Sequence, residues 1–148
     1  MYKPAATKGE LLLIRAPNLR LSEIINSSIY LIPIGADLYK VGATYNWDDK
    51  TNIPTEIGKV ELLLNLRKLI SCDFEIIEHR AGVRPTIKDR RPLVGTHSTF
   101  KNFHILNGLG TRGVMLAPEL ACILFNHIEK KLPLEDYVDI KRFEKLMK

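Results

Sequence analysis

Short apolar runs bounded by turn residues recur through the first third of the chain and predict strands. Lys8–Arg15 is a buried strand by this pattern, because it is apolar and leaves no room for a helix before Pro17. Ile29–Ile34 and Leu38–Thr44 flank the turn residues Gly35-Ala36-Asp37. Two apolar arms around such a turn predict a β-hairpin.

Two longer stretches carry apolar residues at helical spacing. The first is Thr55–Ser71, where Thr55 is the expected N-cap. Its apolar positions are Ile57, Val60, Leu63, Leu64 and Ile70. The second helix runs to about Lys131, with Pro118 expected in its first turn. Its predicted apolar face is Ala117, Leu120, Ala121, Leu124 and Ile128.

Further short elements lie between and after these helices. Phe74–Arg80 alternates like a strand, Pro92–Gly95 is a short apolar segment, and Phe103–Leu106 is a further strand. Asp139 is placed to cap a last short helix, Ile140–Met147. Hairpins with two main helices predict an α+β fold, with a mostly antiparallel or mixed sheet, in a single domain over residues 1–148.

A glycine-rich stretch, Asn107–Pro118, lies between the last strand and the second helix and spells G-x-G-x-x-G. A Rossmann dinucleotide site requires a second parallel strand and an acidic residue about 20 residues further on. The helix is followed instead by Lys130–Asp136, and no further βα unit follows. Two interpretations remain: a tight turn, or a loop that brings backbone N–H groups close to a ligand.

Other residues are candidates for ligand contact. Pro85 favours an extended Arg84, which suits a bidentate clamp on a carboxylate or a salt bridge to Glu78. Tyr30 and Tyr45, at the ends of the hairpin, could line a pocket or be ordinary sheet aromatics. In the glycine stretch, Thr111 and Arg112 could touch a ligand, or Arg112 could be solvated.

Composition narrows the function classes. The 148 residues carry a formal net charge of +5, with basic residues spread along the chain, and no basic stripe with interleaved aromatics favours nucleic acid. No apolar run approaches a membrane span, and the first residues lack a secretory signal. Cys72 and Cys122 lack metal or redox spacing, so we expect free buried thiols and a cytoplasmic protein. The histidines do not show the spacing of metal ligands, so we expect no metal site. No catalytic side chain can be identified from the sequence.

Six separated segments, taken in order, resemble the C-terminal half of the FAD-dependent D-amino-acid oxidase superfamily, nearest to glycine oxidase and related amine dehydrogenases. The segments are Lys8–Glu10, Tyr30–Pro33, Val41–Thr44, Ala81–Pro85, Arg91–Gly95 and Gly108–Pro118. The resemblance covers roughly residues 5–131, and it implies the fold of the substrate domain of FAD-linked amino-acid oxidoreductases. The reaction it implies is oxidation of an amino acid or secondary amine, by hydride transfer to flavin.

The resemblance also implies site residues. Arg84 would bind the substrate carboxylate, and Tyr30 and Tyr45 would line the substrate pocket. The flavin ring would be contacted by the glycine loop and helix start. These residues are Gly108, Leu109, Gly110, Thr111, Arg112, Gly113, Val114 and Met115. The loop departs from glycine oxidase at Leu109 and at Thr111-Arg112, and its form also resembles the oxidase domain of a bifunctional enzyme that modifies wobble uridine in tRNA.

The resemblance further implies an N-terminal Rossmann glycine motif that holds the ADP half of FAD, and nothing in these residues corresponds to it. We therefore expect FAD in the complete protein, a missing N-terminal FAD-binding domain as partner, and neither FAD retention nor turnover by this chain alone. An uncovered surface could drive self-association. The alternative is a binding or interaction module of the same origin that has lost catalysis.

Overall fold

The computed structural model describes residues 6–146 of the chain and the side chains of residues 6–143. The strands are β1 Thr7–Arg15, β2 Ile25–Asn26, β3 Tyr30–Gly35, β4 Leu38–Gly42, β5 Glu75–Arg84, β6 Leu93–Thr96 and β7 His104–Asn107. The α-helices are α1 Glu56–Leu69 and α2 Gly113–Lys130, and short 3-10 helices span Gly110–Arg112 and Ile140–Leu146. The predicted α+β fold with two main helices is confirmed. The predicted end of the last helix at Met147 lies outside the described residues.

The chain divides into two compact units. The first unit is Thr7–Val83. The second unit runs from Arg84 through the last described residue and also takes in Ala6. The single domain expected from the sequence stays a prediction, and each unit is described by itself below.

The first unit contains a five-stranded sheet in the order β2-β3-β4-β1-β5. β4 pairs antiparallel with both β1 and β3, and β2 adds a short antiparallel edge to β3. The β3–β4 turn places Ala36 and Asp37 at φ values of 50° and 56°, beside Gly35 at 88°. Because left-handed residues match the twist of paired strands, this turn closes a tight hairpin, and the predicted hairpin is confirmed.

Helix α1 packs against β1 and β4 and forms the core of the first unit. The buried core residues are Leu12, Ile14, Ala16, Ile29, Leu31, Tyr39, Val41, Leu62, Leu66 and Ile70. Thr55 is the N-cap as predicted, and its hydroxyl accepts a hydrogen bond from the Gly58 N–H. The buried stripe of α1 is Gly58, Leu62 and Leu66, at intervals of four residues.

The apolar positions by which the sequence predicted α1 are not all in its core. Ile57 is 83% exposed, and Val60 and Leu64 are also exposed. α1 carries apolar residues on more than one face, so helical spacing identified the helix without identifying the face that packs.

The second unit contains the antiparallel hairpin β6–β7, with α2 packed against both strands. Its buried core cluster is Val94, Leu120 and Val138, and Ile87 and Leu93 are also buried. Val94 N–H donates to the Val138 carbonyl at 2.8 Å, so the segment after α2 is tied to β6. Asp139 Oδ1 accepts from the Lys141 N–H at 2.9 Å, as expected of a cap for the last short helix.

Helix α2 begins earlier than the sequence pattern indicated. Gly113 is its first residue, so Pro118 lies in the second turn rather than the first, and that expectation is wrong. Proline has no N–H to donate to the Val114 carbonyl one turn earlier. Of the predicted apolar face, Leu120 is buried whereas Ala121 is exposed.

Other properties of the described residues bear on function. Cys72 and Cys122 are free, but Cys122 is exposed, which corrects the expectation that both thiols are buried. None of the described helices is both long and apolar enough to cross a bilayer. Within residues 6–146, no group of three or more histidine, cysteine or acidic side chains is placed to hold a metal ion.

Candidate functional site

The glycine stretch begins as a tightly packed turn at the end of β7. The Asn107 side-chain oxygen accepts a hydrogen bond from the Gly108 N–H at 2.7 Å. Gly108 is buried at φ +72°, and a Cβ at this position would lie 2.3 Å from Ile87 Cγ1. Both the left-handed backbone and the lack of space restrict the position to glycine.

The turn is hydrogen-bonded to the segment that carries Arg84. The Gly110 N–H donates to the Pro85 carbonyl at 3.2 Å. Thr86, which is buried, places its hydroxyl 3.5 Å from the Arg84 carbonyl, and a Cβ on Gly110 would lie 3.8 Å from the same hydroxyl. Two segments that the sequence identified separately are therefore neighbours in the second unit.

The rest of the stretch forms the start of a helix. Leu109 accepts a hydrogen bond from the Arg112 N–H at 3.1 Å, and α2 starts at the next residue. Arg112 is the N-cap residue but supplies no side-chain cap, and the first turn contains no acidic residue. The first N–H groups of α2 and its positive dipole end are therefore not compensated by a local carboxylate.

The side chains around this helix start differ in exposure. Val114 is 97% exposed, Thr111, Arg112 and Met115 are exposed, and Leu109 is half-buried. The stretch therefore presents one guanidinium and two apolar side chains at the surface of the second unit, whereas the N–H groups of Gly108, Gly110 and Arg112 donate within the unit.

Arg84 is the last residue of β5 and is half-buried. The alternative partner considered from the sequence, Glu78, forms an ion pair with Arg80, whose Nε lies 2.5 Å from Glu78 Oε1. This hydrogen bond lowers the pKa of Glu78 and raises the pKa of Arg80. The Glu78 carboxylate is thus committed to a neighbour on its own strand.

Tyr30 and Tyr45 belong to the first unit. Tyr30 opens β3 opposite Gly42 of β4, and a Cβ on Gly42 would lie 2.4 Å from the Tyr30 hydroxyl oxygen. Because side chains alternate along a strand and Leu31 faces the core, Tyr30 lies on the sheet face away from α1. Gly42 thus provides the space that the Tyr30 ring occupies.

Tyr45 follows β4 and is exposed. Its ring meets Trp47 edge to face, with centroids 5.5 Å apart. The residue after it, Asn46, exchanges two backbone hydrogen bonds with Lys8, at 2.8 and 2.9 Å. The Tyr45 backbone is therefore held next to β1.

A buried ionic network, which the sequence patterns did not reveal, anchors this segment. Lys8 is 1% exposed, and its ammonium lies 2.5 Å from Asp49 Oδ2 and donates to the Ile53 carbonyl at 2.5 Å. The hydrogen bond from Lys8, with others from Thr51, lowers the pKa of Asp49 to about 2. The same bond outweighs the effect of burial and raises the pKa of Lys8.

Glu10 joins this network to the start of α1. Its two carboxylate oxygens accept from the Thr55 N–H at 2.9 Å and the Thr55 hydroxyl at 2.7 Å. His79 Nε2 lies 2.8 Å from Glu10 Oε2. Burial alone would raise the pKa of Glu10, but the Thr55 hydrogen bonds and the nearby Lys8 and His79 lower it. The network thus holds both ends of the segment between β4 and α1.

The family of the chain is established by comparison with known proteins. Residues 3–125 match the family described as FAD dependent oxidoreductase. The match extends over more than half of the chain, and the protein belongs to this family. FAD is therefore the cofactor of the complete protein.

The chain is similar to two relatives and to one solved structure. The chain is 24% identical over 142 residues to glycine oxidase of Bacillus subtilis, with 93% of this chain and 38% of the relative covered. It is 29% identical over 99 residues to the tRNA 5-methylaminomethyl-2-thiouridine biosynthesis bifunctional protein MnmC of Idiomarina loihiensis, with 64% of this chain and 16% of that protein covered. The glycine oxidase structure from Geobacillus kaustophilus superposes with a TM-score of 0.75 at 21% identity, over 91% of this chain and 38% of that chain.

Proposed function

We propose that these residues form the substrate-binding and flavin-facing part of an FAD-dependent oxidoreductase that oxidises an amino acid or a secondary amine. The observation that supports this most is the hydrogen bond from the Gly110 N–H to the Pro85 carbonyl. It places the loop proposed for the flavin directly beside the segment that carries Arg84.

The glycine loop and first turn of α2, Gly108–Met115, are proposed to contact the flavin ring. The N-terminus of α2 has neither a side-chain cap nor an acidic residue, and Arg112 beside it is exposed. These features fit an electron-rich ring edge, because backbone N–H groups, the helix dipole and the Arg112 charge all favour negative charge there. When bound, the flavin supplies the acceptor for the hydride that leaves the substrate carbon.

Arg84 is proposed to hold the carboxylate of the substrate. A guanidinium binds a carboxylate through two parallel hydrogen bonds, which fixes orientation as well as position. Holding the carboxylate would orient the adjacent carbon toward the ring, and such positioning is a large part of catalysis when the cofactor does the chemistry. Tyr30 and Tyr45 are proposed to line the substrate pocket.

The test of Arg84 uses the protein loaded with FAD. Arg84→Ala should weaken binding of amino-acid substrates by about 1.5–3 kcal/mol, the range for a hydrogen bond to a charged group. Matched amines without a carboxylate should bind as before. Arg80→Ala is the control, because Arg80 lies on the same strand but pairs with Glu78. Equal effects of both variants, or equal losses for amines and amino acids, would remove Arg84 from this role.

Measuring bound flavin distinguishes the enzyme hypothesis from the hypothesis of a binding module without catalysis. The chain covers 38% of the Bacillus subtilis glycine oxidase, so activity of the whole protein is a proposal. We expect the 148-residue chain to emerge from gel filtration without flavin absorbance, and the protein at the full length of its gene to retain it. A full-length protein that binds no flavin would favour the binding module.

A second candidate is an oxidase that acts on a modified tRNA base. The 29% identity to MnmC over 99 residues supports it, as does the Gly-Leu-Gly-Thr-Arg-Gly form of the loop. The two candidates differ in substrate size. The FAD-loaded protein should oxidise either a free amino acid or an amine attached to a tRNA base, and oxygen consumption or dye reduction with each substrate distinguishes them.

A further inference from the structure

The second unit contains a cavity of about 470 Å³ on a part of its surface that includes none of the proposed flavin or substrate residues. We call it the basic cavity. Its charged and titratable lining, apart from one aspartate, is Lys101, Lys131, Lys141, His97, His104 and His127. These residues come from the β6–β7 hairpin, the end of α2 and the start of the last 3-10 helix.

The ammonium groups of the cavity exceed its carboxylates. Asp139 is the single acidic residue in the lining, and its Oδ1 accepts from the Lys141 N–H at 2.9 Å. Lys101 donates to the Ser98 carbonyl at 2.6 Å, and Lys131 donates to the Ile128 carbonyl at 2.7 Å. An ammonium carries three protons, so each of these lysines retains donors for a ligand. The cavity therefore has a surplus of positive charge and of donors.

The imidazoles are fixed in orientation by their hydrogen bonds. His97 Nδ1 accepts from the backbone N–H groups of Thr99 and Phe100, at 3.1 and 3.2 Å. The neutral ring must then carry its proton on Nε2, which adds a further donor. His127 Nδ1 lies 2.8 Å from the Leu132 carbonyl, which can only accept, so the proton sits on Nδ1 there.

His104 completes the set. Its Nδ1 lies 2.8 Å from the Thr96 hydroxyl, across the pair of facing residues that ends the β6–β7 hairpin. All three rings are thus held by neighbours through Nδ1. The neutral His97 ring carries a donor at Nε2, whereas the neutral His127 ring carries an acceptor there and donates to an anion only once it is protonated.

We propose that the basic cavity binds the phosphate group of a small phosphorylated molecule. Several donors on separate elements suit an anion with acceptor oxygens in several directions. The cavity volume lies in the range of small-molecule sites, about 300–1,000 Å³, and exceeds what a bare ion needs. The site lies outside the glycine loop, so the proposal does not depend on the flavin chemistry.

The test is an NMR titration of the full chain with inorganic phosphate, repeated with sulfate, whose charge is constant near neutral pH. Shifts should concentrate at the three histidines of the cavity. Lys131→Gln and Lys101→Gln should each weaken phosphate about threefold, the range expected for an exposed charge pair. Lys130→Gln is the matched control, because Lys130 is the neighbouring exposed lysine at the same helix end and does not line the cavity.

Three outcomes would overturn the proposal. The first is equal weakening by Lys130→Gln and Lys131→Gln, which would indicate net charge alone. The second is the absence of shifts at His97, His104 and His127 at saturating phosphate. The third is lysine-dependent binding of a single-stranded RNA oligonucleotide without binding of inorganic phosphate, which would assign the face to a nucleic-acid backbone. Lys101 lies in the β6–β7 turn, away from the end of α2. Lys101→Gln therefore tests the proposal even if the variants at the helix end fail to fold.

Discussion

The two units of this chain solve the problem of burying apolar surface differently. In the first unit a helix packs against a sheet, and ten apolar residues are buried in one cluster. The second unit buries three in its cluster, with Ile87 and Leu93 buried outside that cluster, although α2 is the longer helix. Both helices carry exposed apolar side chains, Ile57, Val60 and Leu64 on α1 and Val114, Met115 and Phe125 on α2, so the units differ in the size of the buried cluster that each helix covers.

The size of the buried cluster suggests a different role for each unit. A unit that packs its own core is held mainly by burial of apolar surface. The second unit has the smaller buried cluster, so less of the apolar surface of its helix is covered within the unit, and exposed apolar patches often mark interaction sites. We propose that α2 faces the flavin and the rest of the FAD-binding region; self-association through the same surface stays a prediction.

The two units also differ in whether their charged side chains are buried and paired or exposed. In the first unit Lys8 and Glu10 are buried and satisfied by Asp49 and Thr55. In the second unit Lys101, Lys131 and Lys141 line an open cavity and Arg112 lies in the glycine loop. Buried, fully paired charges specify structure, whereas charges with spare donors are available to ligands.

The largest expected effect tests the packed core of the first unit. Leu66→Ala removes a fully buried side chain between α1 and the sheet and should cost about 2–5 kcal/mol of unfolding free energy. Leu64→Ala, on an exposed face of the same helix, should change it by no more than about 0.5 kcal/mol. Urea unfolding, with amide exchange in β1, measures both. If Leu120→Ala in the second unit proved as costly as Leu66→Ala, the contrast between the cores would fail.

The next effect tests whether the turn at Gly108 excludes a side chain. Gly108→Ala places a Cβ 2.3 Å from Ile87 at φ +72° and should destabilise the second unit by about 1–3 kcal/mol. Gly82→Ala is the control, because a Cβ there meets nothing within 4 Å. Amide exchange at β6 and β7 reports the result. Equal exchange in the two variants would show that the turn accommodates a side chain.

The smallest effect concerns acid stability of the first unit. The Lys8 hydrogen bond holds the pKa of Asp49 at about 2, below its ordinary 3.8. A lowered pKa stabilises the fold above the ordinary value, and this contribution is lost as pH falls through the folded value. The melting temperature should therefore drop between pH 3.8 and about 2, with Glu10, whose pKa is also lowered, contributing in the same direction.

Asp49→Asn provides the comparison for this acid effect. It removes the titrating carboxylate while keeping the shape of the side chain, so the melting temperature should depend less steeply on pH over the same interval. An identical slope in the two proteins would show that Asp49 does not contribute. Because the Lys8 pKa is raised, its own contribution persists below its ordinary pKa of 10.5 and is lost as pH rises through the higher folded value.

Much of the fold could be predicted from local patterns. The first strand, the hairpin around Gly35–Asp37 and the first helix with its Thr55 cap follow from apolar spacing and turn chemistry, which act over a few residues. The start of α2 was misplaced because Pro118 looked like a first-turn residue, although a longer helix accommodates it in the second turn. The packing face of α1 could not be predicted, since several of its faces are apolar.

For the candidate site, too, some features could be identified from the sequence and others only from the tertiary structure. The sequence by itself identified Arg84, Tyr30, Tyr45 and the Gly108–Met115 stretch as candidates through its resemblance to the D-amino-acid oxidase superfamily, whereas residue type and spacing alone left a structural alternative open for each. Only the tertiary structure decided that the Gly110 N–H meets the Pro85 carbonyl and that Lys8 meets Asp49, 41 residues away. Contacts between distant segments depend on how a sheet and helices pack, and no local pattern records them. The glycine stretch could be identified from its letters, but its partner could be identified only from the fold.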